Sequence, residues 1–162
     1  MATYDRTTGQ GTAGHPSRQR GVYVVERTVS LAQVVSDAGA NLSNADILQM
    51  IDVPAETVVI YAGAEVLTAV TGTTVTFDVG LLSSAAADVF IDGASTTAGV
   101  KALAQPVAGA AEHQILNTTA DTLDITLLSG ANDISAGVIR VWAILADVSG
   151  INETDPDFAV TF

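Results

Sequence analysis

Two stretches of the chain place an apolar side chain at every second position. In Thr73–Val79, Val75, Phe77 and Val79 alternate with Thr74, Thr76 and Asp78. In Asp121–Leu127, Leu123, Ile125 and Leu127 alternate with Thr122, Asp124 and Thr126. Side chains of an extended strand point to opposite faces in turn, so a period of two predicts strands with one face in a core. Gly21–Leu31 follows a looser version: Tyr23, Val25, Val29 and Leu31 share one face, and Glu26, Thr28 and Ser30 share the other. Further strand candidates are Asp46–Ile51, Thr57–Tyr61, Ala64–Val70, Val89–Ile91 and Gly137–Ala146. Turn residues separate these runs: Pro54, Thr71-Gly72 and Asp92-Gly93. Only Leu31–Gly39 has helical spacing, with Leu31, Val34, Val35 and Ala38 apolar and Gly39 at the C-terminal position. A strand every 8–14 residues or so, with one short helix, predicts an all-β protein: an antiparallel β-sandwich or jelly roll of about eight strands.

Less regular segments lie between and beyond these runs. Residues 81–87 are read as a short helix or a loop, and residues 94–111 as a loop of small residues containing Pro106. Phe158–Phe162 is a candidate edge strand. Gly137–Ala146 is apolar on both faces apart from Arg140, which predicts a central strand covered on both sides. With apolar neighbours on either side, Trp142 is read as a core side chain in preference to an exposed platform.

The first 20 residues differ in texture. Tyr4 is the one large apolar anchor, and Gly9, Gly11, Gly14 and Pro16 interrupt any period. Such a segment buries too little to offset its own ordering entropy, so residues 1–20 are expected to form a flexible N-terminal arm. No apolar segment follows Met1, so a secretory signal is not expected there. The body is expected over residues 21–148, and residues 149–162 form an acidic tail with Glu153, Asp155 and Asp157.

Charge is divided just as unevenly. Arg6, Arg18, Arg20 and Arg27 face only Asp5 and Glu26 in the first 27 residues, giving +4 − 2 = +2. The remaining 135 residues hold Lys101 and Arg140 against 16 acids, giving +2 − 16 = −14. A formal charge of −12 argues against binding nucleic acid by phosphate neutralisation. No run of about 18 apolar residues suggests a membrane span. A basic arm on an acidic body fits a tether that orders on a partner, with Arg6, Arg18, Arg20 and Arg27 as the partner-binding residues.

Signs of catalysis are sparse. The chain has no cysteine, which removes thiolate metal sites, disulfides and a Cys nucleophile. His15 lies in the arm, and His113 follows Glu112 where a strand begins, read as a solvent-facing loop residue. Catalytic or metal-binding histidine needs a positioned partner, and neither has one in sequence. Asp121 and Asp124 fall on opposite faces of a regular strand, and Asp155 and Asp157 flank Pro156. Asp78, Asp88 and Asp92 gather around one loop and offer oxygens to a hard cation, but no calcium-loop pattern is present. Phosphate-loop, dinucleotide and nucleophile-elbow motifs are absent. The expectation is therefore no enzyme, no cofactor, no metal and no catalytic residues. Asn117-Thr118-Thr119 matches a glycosylation sequon, to which no weight is given.

Several phrases, taken in order, resemble small structural proteins of tailed bacteriophages. They are Thr-Val-Ser-Leu (28–31) before a short helix, Ala-Asp-Ile-Leu-Gln-Met-Ile-Asp-Val-Pro-Ala (45–55) and Val-Val-Ile-Tyr-Ala-Gly-Ala-Glu-Val (58–66). Next come Thr-Val-Thr-Phe-Asp-Val-Gly (74–80), Val-Phe-Ile-Asp-Gly-Ala (89–94), Asp-Thr-Leu-Asp-Ile-Thr-Leu (121–127) and Gly-Val-Ile-Arg-Val-Trp-Ala-Ile-Leu-Ala-Asp-Val (137–148). The family includes virion proteins that decorate or cement capsid shells, often as trimers of β-sandwich subunits. The resemblance implies a capsid decoration protein on the virion exterior, a homo-oligomer with a trimer favoured, whose partner is the major capsid protein. It transfers no catalytic residues. The alternatives are a tail or fibre module, or a carbohydrate-binding β-sandwich that stacks sugars on Trp142 or Tyr61.

Overall fold

The structure is a computed structural model that describes residues 3–5, 21–81, 86–104 and 114–148. Within these residues the chain forms β1 (Thr3–Asp5), β2 (Val22–Ser30), α1 (Leu31–Ala38), β3 (Ile47–Val53), β4 (Thr57–Thr71) and β5 (Thr76–Gly80). It continues with β6 (Ile91–Ser95), β7 (Lys101–Leu103), β8 (Ile115–Asn117), β9 (Asp121–Leu128) and β10 (Ala136–Asp147). One sheet has the order β1-β3-β9-β5-β6, and the other β2-β10-β4-β7 with β8 also paired to β4. All pairings are antiparallel except β1 with β3. The two sheets form the expected β-sandwich, with one short helix.

The alternation read from the sequence decides which side chains meet between the sheets. Leu123, Ile125 and Leu127 of β9 and Phe77 and Val79 of β5 are fully buried or nearly so. They join one core with Ile139, Val141, Ala143 and Leu145 of β10 and Val59, Ala62, Ala64 and Val66 of β4. Each large apolar side chain so buried contributes roughly 1.5–3 kcal/mol relative to exposure. Helix α1 adds Leu31 and Val34 to this core and stops at Gly39, whose φ of 72° is the left-handed conformation of a helix C-terminus. The Gly39 N–H donates to Val35 O at 2.9 Å.

Several expectations are corrected by the backbone. Thr57–Tyr61 and Ala64–Val70 are parts of one 15-residue strand, β4, because Ala62 and Gly63 pair with Ala143 and Trp142 and leave no break. Asp92-Gly93 is not a turn between strands. It is a bulge inside β6, where residues 92 and 93 stand opposite Asp78 alone and Gly93 takes φ 60°. Part of the expected 94–111 loop is strand, since Lys101–Leu103 pairs with Glu65–Gly63. Thr3–Asp5, within the segment expected to be a flexible arm, pairs in parallel with Ile47–Gln49. An open strand edge offers main-chain partners without needing apolar side chains. The expectations for residues 6–20, 82–85, 105–113 and 149–162 lie outside the described residues.

Candidate functional site

The register of the second sheet sets four rows of side chains on its outer face, away from the core. The first row, Val22, Ala146, Val58 and Leu116, is apolar across four strands. The second is Val24, Ile144 and Tyr61, and the third is Glu26, Trp142, Gly63 and Leu103. The fourth is Thr28, Arg140, Glu65 and Lys101. One half of the face is therefore hydrocarbon and aromatic, and the other is ionic.

Trp142 belongs to this face and not to the core, which corrects the reading from its apolar flanks. The core takes the odd-numbered residues of β10, so the even-numbered Arg140, Trp142 and Ile144 point outward and are half-buried. Gly63, opposite Trp142, leaves space for the indole: a Cβ there would collide with the ring atoms Cζ2 and Cε2. Tyr61 stands beside the indole with ring centroids 5.7 Å apart and planes tilted by 33°, a favourable aromatic arrangement.

In the fourth row Arg140 Nη2 donates to Glu65 Oε2 at 2.5 Å, and Arg140 Nη1 lies 3.8 Å from Glu26 Oε2. Lys101 Nζ adds a second, longer contact to Glu65 at 3.7 Å. The short contact involves the most shielded carboxylate of the group, where a charge-assisted bond is strongest. Glu65, 75 residues from Arg140 in sequence, escaped the reading of the sequence because only strand register brings the two together.

Asp78 is buried and accepts the Gly93 N–H at 2.7 Å. Burial raises its carboxyl above the ordinary 3.8, Asp92 and Asp88 push the same way, and the Gly93 bond opposes them. Among the described residues, no group of three or more His, Asp or Glu side chains is placed to hold a metal ion. Between β9 and β10, Asp133 accepts the Thr73 hydroxyl at 2.7 Å and its N–H at 3.0 Å, which holds its carboxyl below the usual value.

Of the four arginines expected to bind a partner, Arg27 lies on β2 in the inward row with Tyr23, Val25 and Val29 and is half-buried. Arg6, Arg18 and Arg20 lie outside the described residues, as do His15, His113, Asp155 and Asp157. Asn117 of the sequon is fully buried, and its Nδ2 donates to the Val53 carbonyl at 3.1 Å. Among the described residues no helix is long and apolar enough to cross a membrane.

No family model matches the chain, and neither does any curated protein. Solved structures do match in fold. A chain from the capsid of Ralstonia phage GP4 superposes with a TM-score of 0.64 at 14% identity, covering 90% of this chain and 98% of that one. A chain from the capsid asymmetric unit of cyanophage Pam1 gives 0.56 at 18% identity, covering 85% and 94%. At such identities the likeness is one of fold: a β-sandwich also found in phage capsids.

Proposed function

We propose that this chain is a non-enzymatic structural protein of a tailed-phage virion that decorates or cements the outside of the capsid as a homo-oligomer. The observation that carries the reading is the end-to-end fold likeness to a phage-capsid chain, covering 90% of one and 98% of the other. The surface supports it too. Exposed apolar side chains collect on a sheet face, as in a protein that works by contact with neighbours. A protein bound across shell subunits stabilises the shell because separating them must also break the added contacts. The basic arm, with Arg6, Arg18 and Arg20, is the attachment element, pairing with carboxylates of the major capsid protein.

The test is binding to shells assembled without this protein. Full-length chain is expected to bind and raise the temperature at which shells rupture. A chain lacking residues 1–20 is expected to keep its sandwich and lose binding. Full-affinity binding by the shortened chain would remove the arm from the mechanism, and no binding by the full-length chain would remove the capsid role.

A second reading has one observation in its favour: Trp142 and Tyr61 lie side by side on an outer face, as a sugar-stacking platform requires. Glycan binding lost in a folded Trp142→Ala variant would establish it.

A further inference from the structure

The outer face of the second sheet differs from the rest of the molecule in both polarity and charge. Five large apolar side chains are exposed among the described residues: Val22 (64%), Val24 (68%), Leu67 (46%), Leu103 (50%) and Leu116 (53%). All five belong to strands of this one sheet. Register puts Val22, Val24, Leu103 and Leu116 on the outer face with Ile144, Val58, Tyr61 and Trp142. A solvated sheet face ordinarily alternates polar residues outward, so an apolar outer half marks a surface that another body covers.

Charge identifies that body. Residues 28–162 carry −14, and their only bases are Lys101 and Arg140. Both lie on this face, in one row, paired with Glu65 and Glu26. Two bases against two acids leave the face neutral on an otherwise strongly acidic body. Two acidic bodies repel wherever unbalanced carboxylates meet, and least where the charges are already matched. The neutral, apolar face is therefore where a second copy can approach.

We propose that this face is the contact between copies of the chain in the homo-oligomer, with the Val22, Val24, Ile144, Val58 and Leu116 half as its buried centre and the Arg140–Glu65–Lys101 row as its polar rim. The proposal rests on the reading of a self-associating virion protein and adds the surface that does the associating. An apolar centre within a polar rim is the usual anatomy of such a contact.

The test uses the full-length chain and three variants, with mass in solution followed by sedimentation equilibrium. Val24→Glu and Leu116→Glu place a carboxylate at the proposed centre, from opposite edges of the sheet. Both positions are exposed in the single chain, so circular dichroism is expected to stay unchanged. Ala32→Glu adds the same charge on the exposed side of α1 as a control. The expected result is an oligomer for the parent and for Ala32→Glu, and self-association weakened at least about tenfold in both centre variants, since a buried carboxylate without a partner costs more than 1.4 kcal/mol. A folded Val24→Glu or Leu116→Glu that associates like the parent overturns the choice of face and leaves the capsid reading intact. A parent monomeric at every concentration overturns the inference itself, and the shell-binding assay then decides the capsid reading separately.

Discussion

The indole of Trp142 lies over the backbone of Gly63 on the adjacent strand, and its Cζ2, Cε2 and Nε1 atoms crowd the point where a Cβ on that glycine would stand. The absence of a side chain at residue 63 thus creates the seat that keeps the ring on the sheet beside Tyr61. Gly63→Ala is expected to push the ring off and cost roughly 1–3 kcal/mol, the range for an overfilled site. Trp142 is the only tryptophan, so its emission reports the same event. Urea unfolding should show the lower stability and the native spectrum a shift to the red. An unchanged spectrum and midpoint would show that the ring has room to spare.

Arg140 stands between two carboxylates, and Glu65 is the more shielded of them, with a side chain 17% exposed. Arg140→Met is expected to destabilise by about 1.5–3 kcal/mol, because Glu65 is left with only the longer Lys101 contact. Adding Glu65→Gln should recover part of that loss, since the stranded charge is gone. A thermodynamic cycle over the two single variants and the double variant checks this. Strict additivity would mean that the two side chains do not act as a pair.

What could be read in the sequence follows from the range of the interactions. Val75, Phe77 and Val79, or Leu123, Ile125 and Leu127, declare a face by local alternation, and the core holds all of them. The short helix ends at Gly39 because a left-handed residue is needed there, again a local requirement. Trp142 could not be placed that way: β10 is apolar at odd and even positions alike, so parity does not say which face is inside. Tertiary pairing decides, through Gly63 of β4 and Glu26 of β2 on either side. The row Thr28-Arg140-Glu65-Lys101 is drawn from four strands far apart in sequence, so no window contains it. Arg27 illustrates the same limit: its composition groups it with the arm, while its register puts it on the inward row of β2.

Asp78 predicts an unusual pH dependence. Its folded-state carboxyl titrates above 3.8, so the folded chain holds this proton more tightly than the unfolded one. Stability from this group is greatest at acid pH and declines as pH rises from about 3.8 through the raised value. Asp78→Asn keeps an oxygen to accept the Gly93 N–H and removes repulsion from Asp92 and Asp88. The variant is expected to be more stable than the parent at pH 7, with the advantage vanishing by pH 3 or so. Denaturant unfolding of both proteins across that range checks it. A constant difference, or one that grows on acidification, would contradict the assignment.

Asn117 ends β8 fully buried, and its amide donates to the carbonyls of Val53 and Pro54 at 3.1 and 3.4 Å. It thereby ties β8 to the turn between β3 and β4. Asn117→Ala leaves both carbonyls short of a donor and is expected to cost roughly 1–3 kcal/mol. Asn117→Asp is nearly the same shape but turns the donor into an anion facing two carbonyl oxygens. At pH 7 it should therefore be less stable than Asn117→Ala. On acidification the carboxyl gains a proton it can donate, so the aspartate variant should recover relative to the alanine one. Parallel unfolding of the two variants at pH 7 and at pH 4 makes the comparison. If the aspartate variant is the more stable at neutral pH, the amide is not acting as the donor that holds this corner of the sandwich.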